Sequence, residues 1–181
     1  MSHLPIWYIG KIPEAVCNAA LEEFQEIGFK DATMGVDADL KDHKMRNTSI
    51  CFAPDDHWLG GIMLKHGLIG NEKCQWQYGV DGHEAIQFAK YEPGQHYDWH
   101  VDTFPLSGLQ TERKLTVICL LSDVYEFNGG DLFLKLYQEY QAPLEKGSLI
   151  AFPSQLEHKV TPVISGVRYS ATMWLNGPRG R

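Results

Sequence analysis

Short strand-like segments separated by turn sequences fill the second half of the chain, and they constrain the fold more than any other feature. Residues 114–121 form a nearly continuous apolar run, which is typical of a strand buried on both faces. The Asn-Gly-Gly-Asp sequence at 128–131 is a strong turn sequence, and residues 148–152 form another short apolar strand. Residues 159–164 and 167–175 predict a hairpin with a Ser-Gly turn between them. Together these segments predict a closed or double-sheet β core.

Two helices are predicted ahead of this core. The Pro-Glu pair at 13–14 marks the start of the first helix, apolar residues recur after it at helical spacing, and Gly28 marks its end. An aspartate at 55–56 is the predicted cap of the second helix, which three glycines between residues 60 and 67 weaken. The predicted fold class is therefore mostly β with flanking helices, an α+β arrangement in which N-terminal helices support the β core.

The segments around these helices are shorter and less regular. Residues 4–9 and 75–78 are predicted strands, and residues 85–91 form another strand after an Asp-Gly turn. Residues 31–47 are polar and predict a loop or an irregular strand, and residues 103–113 predict a polar loop. We find no repeat and no linker composition among these segments, so they do not divide the chain into separate units.

The composition fits one domain with a packed core, because the 181 residues include 44% hydrophobic and 22% charged side chains. We expect residues 1–84 to form a helical or irregular N-terminal buttress and residues 85–176 to form the β core that carries the functional site. Lysines and arginines number 16 against 23 acids, so the net charge is −7. That balance argues against a general phosphate-binding surface and against nucleic acid as a partner.

Cysteine usage and the start of the chain bear on location. The four cysteines form no Cys-x-x-Cys motif, and the Met-Ser-His start carries no basic-then-apolar leader. No apolar run approaches membrane-spanning length. We therefore expect a reducing, cytoplasmic setting with free thiols and no membrane partner.

A histidine and an aspartate two residues apart, His100 and Asp102, are the candidate centre of the chemistry. If their segment is extended, both side chains point to one face, because a strand alternates its side chains. Asp98 shares this parity and competes as a carboxylate, whereas His96 lies farther along the face and is a predicted rim residue. His158, just after an apolar strand, offers a second imidazole. Two histidines and one carboxylate on one side of a metal form the facial triad of non-haem Fe(II) oxygenases.

The last predicted strand has two chemically different faces. Arg168, Ser170, Thr172 and Trp174 share one face by a period of two, whereas the alternate residues are all apolar or aromatic. The apolar face is expected to pack on helices or on another sheet, so Arg168 faces a polar interior. A buried arginine needs an anion because an unpaired desolvated charge is costly, and its planar fork suits a carboxylate.

The spacing of His158 and Arg168 indicates which anion that is. If each residue begins one strand of the predicted hairpin, about five residues, or about 15 Å at about 3.3 Å per residue, separate the metal end from the turn end. A five-carbon diacid that chelates the metal at one end and reaches the guanidinium at the other fits this distance. That is the shape of 2-oxoglutarate.

These motifs together resemble the Fe(II)- and 2-oxoglutarate-dependent dioxygenases, and in particular their prolyl 4-hydroxylase-like branch. The resemblance covers residues 86–175 and depends on the His-x-Asp pair, the distal His158 and Arg168 ten positions later. The flanking sequences agree with it. Tyr91 and a following glycine precede the pair, and the Gly-Gly turn at 128–131 is similar to the family's hairpin.

The resemblance implies a double-stranded β-helix of two packed sheets, a jelly-roll or cupin-like core. It implies that His100, Asp102 and His158 are the Fe(II) ligands and that Arg168 binds the distal carboxylate of the cosubstrate 2-oxoglutarate. Four further residues are implied near that cosubstrate. They are Tyr91, Ser170, Thr116 and Trp174.

The implied activity is hydroxylation of a C–H bond of a peptidyl residue by O2, with release of succinate and CO2. A peptide or protein is the implied substrate, proline is the first candidate residue, and L-ascorbic acid is an implied accessory ligand. Many prolyl 4-hydroxylases carry lysine at the position of Arg168, whereas related branches use arginine. Tyr97, Trp99 and Phe104 are candidates for an aromatic lip over the target or for packing residues at the mouth of the core.

Other functions stay open on the sequence alone. The same chemistry can act on a free amino acid, on a small molecule or on alkylated nucleic acid. Nucleic-acid demethylases usually carry a second arginine six residues after the first, where this chain has Trp174. A cupin-like metal-binding module without O2 chemistry is the remaining alternative, although such sites more often use three or four histidines and lack an anchor like Arg168.

Overall fold

Antiparallel β-sheets and two helices make up the part of the chain that the structure, a computed structural model, describes. That part comprises residues 5–32, 42–103 and 110–179. The elements in chain order are β1 (Tyr8–Lys11), α1 (Glu14–Ile27), β2 (Lys30–Asp31), β3 (Arg46–Asn47), β4 (Ser49–Phe52), α2 (Trp58–Lys73), β5 (Gly82–His83), β6 (Gln87–Tyr91), β7 (His96–His100), β8 (Thr111–Leu120), β9 (Phe127–Gly129), β10 (Leu132–Lys135), β11 (Glu139–Gln141), β12 (Ser148–Pro153), β13 (Glu157–Val160), β14 (Val163–Gly166) and β15 (Arg168–Pro178).

The strands form a β core of two facing sheets, which confirms the predicted fold class. The larger sheet has the order β1-β12-β8-β15-β6-β4-β2, and β5 pairs with β15 beside this path. The smaller sheet has the order β11-β10-β13-β7-β3, and β9 and β14 form a separate two-stranded sheet. The first 84 residues also build these sheets, because β1, β2 and β4 join the larger one and β3 joins the smaller one.

The strand predicted to be buried on both faces is β8, and its residues 114–120 are all buried. Leu115, Val117 and Cys119 belong to an apolar cluster that the larger sheet forms with the two helices. Ile118 points the other way and belongs to a second apolar cluster between the larger and the smaller sheet. The alternation of a single strand therefore separates a helix-side core from an inter-sheet core.

β15 divides its side chains in the same way. Ala171, Met173 and Leu175 pack into the helix-side core. The alternate residues line a pocket between the two sheets, as the period of two predicts, and these are Arg168, Ser170, Thr172 and Trp174.

The first helix, α1, begins after Pro13 and ends at Gly28, as predicted. Gly28 has a φ of 84°, a left-handed conformation that favours glycine. Cys17, Ala20 and Phe24 are buried in the helix-side core. The helix therefore covers one face of the larger sheet with part of the stripe that its apolar spacing predicts, because Ile27 at its end is 47% exposed.

The second helix, α2, forms because its glycines let it approach the larger sheet closely. A Cβ atom at Gly67 would lie 2.8 Å from Cδ2 of Leu175 and 2.9 Å from Cγ2 of Val117. A Cβ atom at Gly70 would lie 3.1 Å from Cβ of Tyr8. These contacts leave no room for larger residues, so packing outweighs the low helix propensity of glycine.

The start of α2 differs from the prediction. His57 caps the helix instead of an aspartate at 55–56, because its Nδ1 accepts a 3.2 Å hydrogen bond from the backbone N–H of Leu59. The other ring nitrogen of His57 lies 2.7 Å from a carboxylate oxygen of Glu23 on α1. This imidazole links the two helices, and cap preferences in the sequence do not reveal such a role.

The segment after α2 is not a strand, which corrects the prediction for residues 75–78. Gln75 and Gln77 have φ values of 57° and 58°, which are left-handed and incompatible with an extended chain. The Asn71 side chain fixes this turn, because its amide donates to the Tyr78 carbonyl and its oxygen accepts from the Tyr78 N–H, at 2.9 Å and 3.0 Å.

Two strand boundaries also differ from the prediction. The first strand is Tyr8–Lys11 instead of residues 4–9, because it pairs there with β12. β8 begins at Thr111, inside the loop predicted for residues 103–113. The part of that loop at 104–109 lies outside the described residues.

The two predicted hairpin turns connect different sheets instead. The Gly-Gly turn at 128–131 joins β9 to β10, and its glycines have φ values of 72° and 64°. The Ser-Gly turn joins β14 to β15, but β14 pairs with β9, and β15 pairs with β5, β6 and β8. The predicted hairpin of residues 159–164 and 167–175 is therefore wrong, because the chain crosses between layers where local sequence favours a hairpin.

The state of the cysteines and the character of the helices can be compared with the expectations from the sequence. All four cysteines lie in the described part of the chain, and each is free and buried. Among the described residues, neither helix is long and apolar enough to cross a membrane.

We expect Gly67→Ala to destabilise the fold and Gly61→Ala to stabilise it. Both residues lie in α2, but a Cβ at Gly61 would meet no described atom within 4 Å. Each change gains about 0.5–1 kcal/mol of helix propensity, whereas Gly67→Ala also loses about 1–3 kcal/mol through overpacking against the sheet. Chemical denaturation measures the difference, and equal stabilities would contradict the close packing of α2.

Candidate metal centre

Two strands of the smaller sheet bring the three predicted ligands together. β7 and β13 pair antiparallel, and His100 lies opposite His158 in their register. Asp102 follows two residues after β7, and its backbone N–H donates to the Ser154 carbonyl at 2.9 Å. One ligand atom from each of the three residues lies within 4.8 Å of the others. The three side chains therefore converge on one point.

The ring orientation of both histidines suits metal binding. Nδ1 of His100 lies 2.7 Å from the Asp98 carbonyl, and Nδ1 of His158 lies 3.0 Å from the Leu156 carbonyl. A carbonyl only accepts, so each Nδ1 carries a hydrogen and each Nε2 keeps its lone pair for a metal. Those Nε2 atoms lie 3.5 Å and 3.3 Å from the carboxylate oxygens of Asp102.

Electrostatics keep an anion beside these imidazoles. Burial alone would raise the pKa of Asp102, but the charge and hydrogen bond of His158, together with His100 and Trp174, hold that pKa well below its usual range. Burial, helped by the neighbouring His158, lowers the pKa of His100 to about 3. Burial also opposes a charge on His158, but the Asp102 carboxylate raises its pKa. The triad thus offers an ionised carboxylate and two imidazoles that can each present Nε2 to a metal ion.

The competing carboxylate stays outside the triad. The Asp98 side chain is exposed and accepts a 2.8 Å hydrogen bond from the backbone N–H of Trp99, while its carbonyl orients His100. His96, the predicted rim residue, places Nε2 at 2.9 Å from the Lys44 carbonyl. Of the two carboxylates with the same strand parity, the structure therefore places Asp102 beside both imidazoles.

The larger sheet holds Asp102 from the opposite side. The Thr116 hydroxyl donates to Oδ2 at 2.8 Å, and the indole N–H of Trp174 donates to the same oxygen at 2.9 Å. The Thr116 hydroxyl also lies 2.9 Å from that of Ser154. The resemblance implies that Thr116 and Trp174 lie near the cosubstrate, whereas the structure places their polar atoms on the ligand carboxylate. Partners of this kind orient a metal ligand.

Arg168 lines the same pocket as the triad and is only 2% exposed. Its Nη1 donates to Oγ of Ser170 at 3.1 Å, and its Cζ lies 5.3 Å from the centre of the Tyr91 ring. Burial lowers the pKa of Arg168, and Tyr91 and Asp131 oppose that effect. An anion beside the guanidinium would offset the cost of burying its charge.

The path from the triad to Arg168 differs from the prediction. His158 lies on β13 of the smaller sheet, whereas Arg168 begins β15 of the larger sheet, so the two residues are not on one hairpin. The pocket spans the gap between the sheets, and residues of both line it. Gly130 makes room at the Arg168 end, because a Cβ there would lie 2.8 Å from Cδ of Arg168. The Gly-Gly turn thus leaves space for the Arg168 side chain.

Sequence reasoning missed Arg46 and gave Tyr97 only a general role. The Tyr97 ring stacks on the His100 ring with centroids 3.4 Å apart, and Cζ of Arg46 lies 4.5 Å from the Tyr97 centroid. Both residues line the pocket, but Arg46 lies in a stretch without hydrophobic period, so no sequence signal marks it. The Trp99 ring contacts lysines of β10 and β13, and Phe104 lies outside the described residues.

Comparison with known proteins decides the family. The family model of the 2OG-Fe(II) oxygenase superfamily matches residues 86–176, which contain the triad and Arg168. The chain belongs to this superfamily. The 2OG-Fe(II) oxygenase family assignment agrees with the donor set, because two imidazole nitrogens and one carboxylate oxygen suit Fe(II) and leave coordination positions open.

Curated relatives of this 2OG-Fe(II) oxygenase are PKHD-type hydroxylases. One from Janthinobacterium sp. (strain Marseille) is 34% identical over 173 residues, which cover 91% of this chain and 76% of that protein. Another from Herminiimonas arsenicoxydans is 36% identical over 93 residues. That second match spans 49% of this chain and only 41% of the relative's length.

Solved structures share the fold. The crystal structure of a Pseudomonas putida prolyl-4-hydroxylase superposes with a TM-score of 0.75 over 94% of this chain and 92% of that chain, at 22% sequence identity. This likeness supports the assignment of the two facing sheets to the double-stranded β-helix fold.

We expect Thr116→Val to weaken metal binding about 10-fold, because the ligand carboxylate loses one of the two donors that orient it. Thr111→Val is the matched control, since Thr111 lies on the same strand but is exposed. Calorimetric titration of the metal-free protein with Co(II) compares the two variants. Equal affinities in the two variants would show that the Thr116 hydroxyl does not hold Asp102 in its binding orientation.

Proposed function

We propose that this protein is an Fe(II)- and 2-oxoglutarate-dependent dioxygenase that hydroxylates a C–H bond of a peptidyl residue, with proline the first candidate. One observation carries the proposal: a His-Asp-His triad and the buried Arg168 line one pocket. The triad offers ligands for iron, and the guanidinium offers a partner for an anion. Membership of the 2OG-Fe(II) oxygenase superfamily supports both assignments.

Each residue's role follows from its contacts. His100, Asp102 and His158 would hold Fe(II) through two Nε2 atoms and a carboxylate oxygen. Arg168 would bind the distal carboxylate of 2-oxoglutarate, because its planar fork matches a carboxylate, and the Ser170 hydroxyl beside it adds a donor. Bound Fe(II) and 2-oxoglutarate supply the oxidation of a C–H bond by O2, with succinate and CO2 as coproducts. Ascorbate, a reductant that keeps iron ferrous, belongs to the proposal as an accessory requirement.

The chain also shapes and shields the reaction space. Ile118 of the larger sheet and Val160 of the smaller sheet put apolar walls into the pocket. Apolar walls exclude water, and charges interact more strongly where water is excluded. Tyr91 lies beneath the guanidinium of Arg168, and the face of Tyr97 lies against His100. These rings support the guanidinium and the imidazole inside the pocket.

A peptidyl target is supported over the nucleic-acid alternative by charge and by one residue. The net charge of −7 disfavours a polyanion as partner. At the position where nucleic-acid demethylases usually carry a second arginine, this chain has Trp174, and its indole N–H donates to Asp102. The shared fold with a prolyl-4-hydroxylase makes proline the first residue to test. We place this activity in the cytoplasm, in line with the free, buried cysteines.

We expect Arg168→Met to raise the 2-oxoglutarate concentration needed for half-saturation by at least about 30-fold, because truncating one partner of a buried charge pair costs about 2 kcal/mol or more. The measurement is the weak visible charge-transfer band that Fe(II) and 2-oxoglutarate give together without O2. Arg179→Met is the control, because it removes a partly exposed arginine directly after β15, the strand that Arg168 begins. An unchanged titration in Arg168→Met would refute the cosubstrate assignment.

Proline-containing peptides are expected to increase succinate release from 2-oxoglutarate, and the same peptides with alanine in place of proline are expected not to. Mass spectrometry should then find one added oxygen on the proline-containing peptide. The Asp102→Ala variant serves as the inactive control. Stimulation by free amino acids or by methylated oligonucleotides, with none by any peptide, would contradict the peptidyl proposal and leave the iron and 2-oxoglutarate assignment standing.

A further inference from the structure

A continuous line of contacts runs from a partly exposed ion pair to the ligand carboxylate. The Glu84 carboxylate accepts two hydrogen bonds from Arg113, from Nε at 2.7 Å and from Nη2 at 2.6 Å. The Arg113 guanidinium lies over the Trp174 ring, with Cζ 3.8 Å from the ring centre. The Trp174 indole N–H then donates to Oδ2 of Asp102 at 2.9 Å. Neither Glu84 nor Arg113 has a role in the proposed function as stated above.

Glu84 takes part in this series of contacts through its backbone as well as through its side chain. Its N–H donates to the Trp174 carbonyl at 2.9 Å, so one residue fixes both the main chain of Trp174 and the cation over its ring. The Arg113 carbonyl accepts a 3.0 Å hydrogen bond from the Thr103 hydroxyl, directly after Asp102. Arg113 therefore contacts the indole through its side chain and the segment of the metal ligand through its backbone.

The geometry gives the guanidinium a specific effect on the indole. A planar cation stacked on an indole face restricts rotation of the ring and is attracted by its π electrons. The same positive charge polarises the ring N–H, which makes it a stronger donor to a carboxylate. The two-pronged bond to Glu84 restrains the guanidinium above the ring. A lysine at this position would keep the charge but lose the plane.

We propose that Arg113, held by Glu84, is a positioning residue for the iron site. It fixes the indole of Trp174, and the indole in turn fixes the Asp102 carboxylate that binds the metal. This inference rests on the proposed function, because it requires a metal ion at the triad. The side chain of Arg113 acts only through Trp174, so its contribution to metal binding disappears when the indole can no longer donate.

A thermodynamic cycle on the full-length chain tests this dependence. Co(II) affinity is measured for the metal-free wild type, for Arg113→Met, for Trp174→Phe and for the double variant. We expect Arg113→Met to weaken Co(II) binding about 10-fold, in line with the loss of a residue that supports a metal ligand. Trp174→Phe keeps a ring but removes the donor, and adding Arg113→Met to it should cause no further loss.

Two conservative variants and one control separate positioning from folding. Arg113→Lys and Glu84→Gln keep part of the arrangement, so each should lose less affinity than Arg113→Met. Arg179→Met, a change at a more exposed arginine, should bind Co(II) like the wild type. Thermal unfolding of each metal-free variant records any loss of fold, and the Fe(II)–2-oxoglutarate charge-transfer band without O2 provides a second readout, which should weaken in Arg113→Met.

Either of two results would overturn the inference. One is a Co(II) affinity in Arg113→Met equal to that of the wild type. The other is that Arg113→Met lowers the Co(II) affinity by the same factor in the wild-type and Trp174→Phe backgrounds, which would mean that Arg113 acts without the indole. Failure of the proposed function itself looks different: Asp102→Ala would then bind Co(II) as well as the wild type does.

Discussion

A single buried carboxylate, that of Asp102, joins the two sheets of this protein and depends on both. A charge so far from water is costly unless it is paired and hydrogen-bonded. The smaller sheet supplies two imidazoles, at 3.5 Å and 3.3 Å, and the larger sheet supplies the Thr116 and Trp174 donors, at 2.8 Å and 2.9 Å. The site therefore forms only when the two sheets are correctly positioned against each other, so the metal centre depends on the complete fold.

The two faces of the larger sheet have different roles, because one packs on the helices and the other lines the pocket. On β15 the alternate residues Met173 and Leu175 anchor the helices, while Arg168 and Trp174 face the pocket. Stability on one face holds the chemistry on the other in place, since a strand cannot shift by one residue without exchanging its faces. Glycines appear where two elements must approach most closely, as at Gly130 beside the Arg168 side chain.

Sequence reasoning reached the parts of this design that local rules govern. A period of two predicts which side chains of β15 share a face, and the resemblance supplies the three residues that the structure brings together as a triad. It failed where pairing is non-local. Strands close in sequence usually pair, which favoured a hairpin between His158 and Arg168, but the chain crosses between sheets there. No local sequence pattern marks Arg113 either. Its proposed role depends on Glu84, 29 residues away, and on Trp174 of β15, a strand distant in sequence that pairs with β8.

The charges of the pocket run opposite to those of the chain. Its charged lining consists of Arg46, Arg168 and Asp102, two positive groups and one negative, so the lining carries +1 with both histidines neutral, and a divalent metal would raise this to +3. The whole chain carries −7. A small dianion that enters the pocket meets a field that favours it, whereas a polyanion that must lie along the outer surface meets the opposite field. Under the proposed function, the same distribution favours 2-oxoglutarate as cosubstrate, and it favours a neutral or basic peptide segment over nucleic acid as the target.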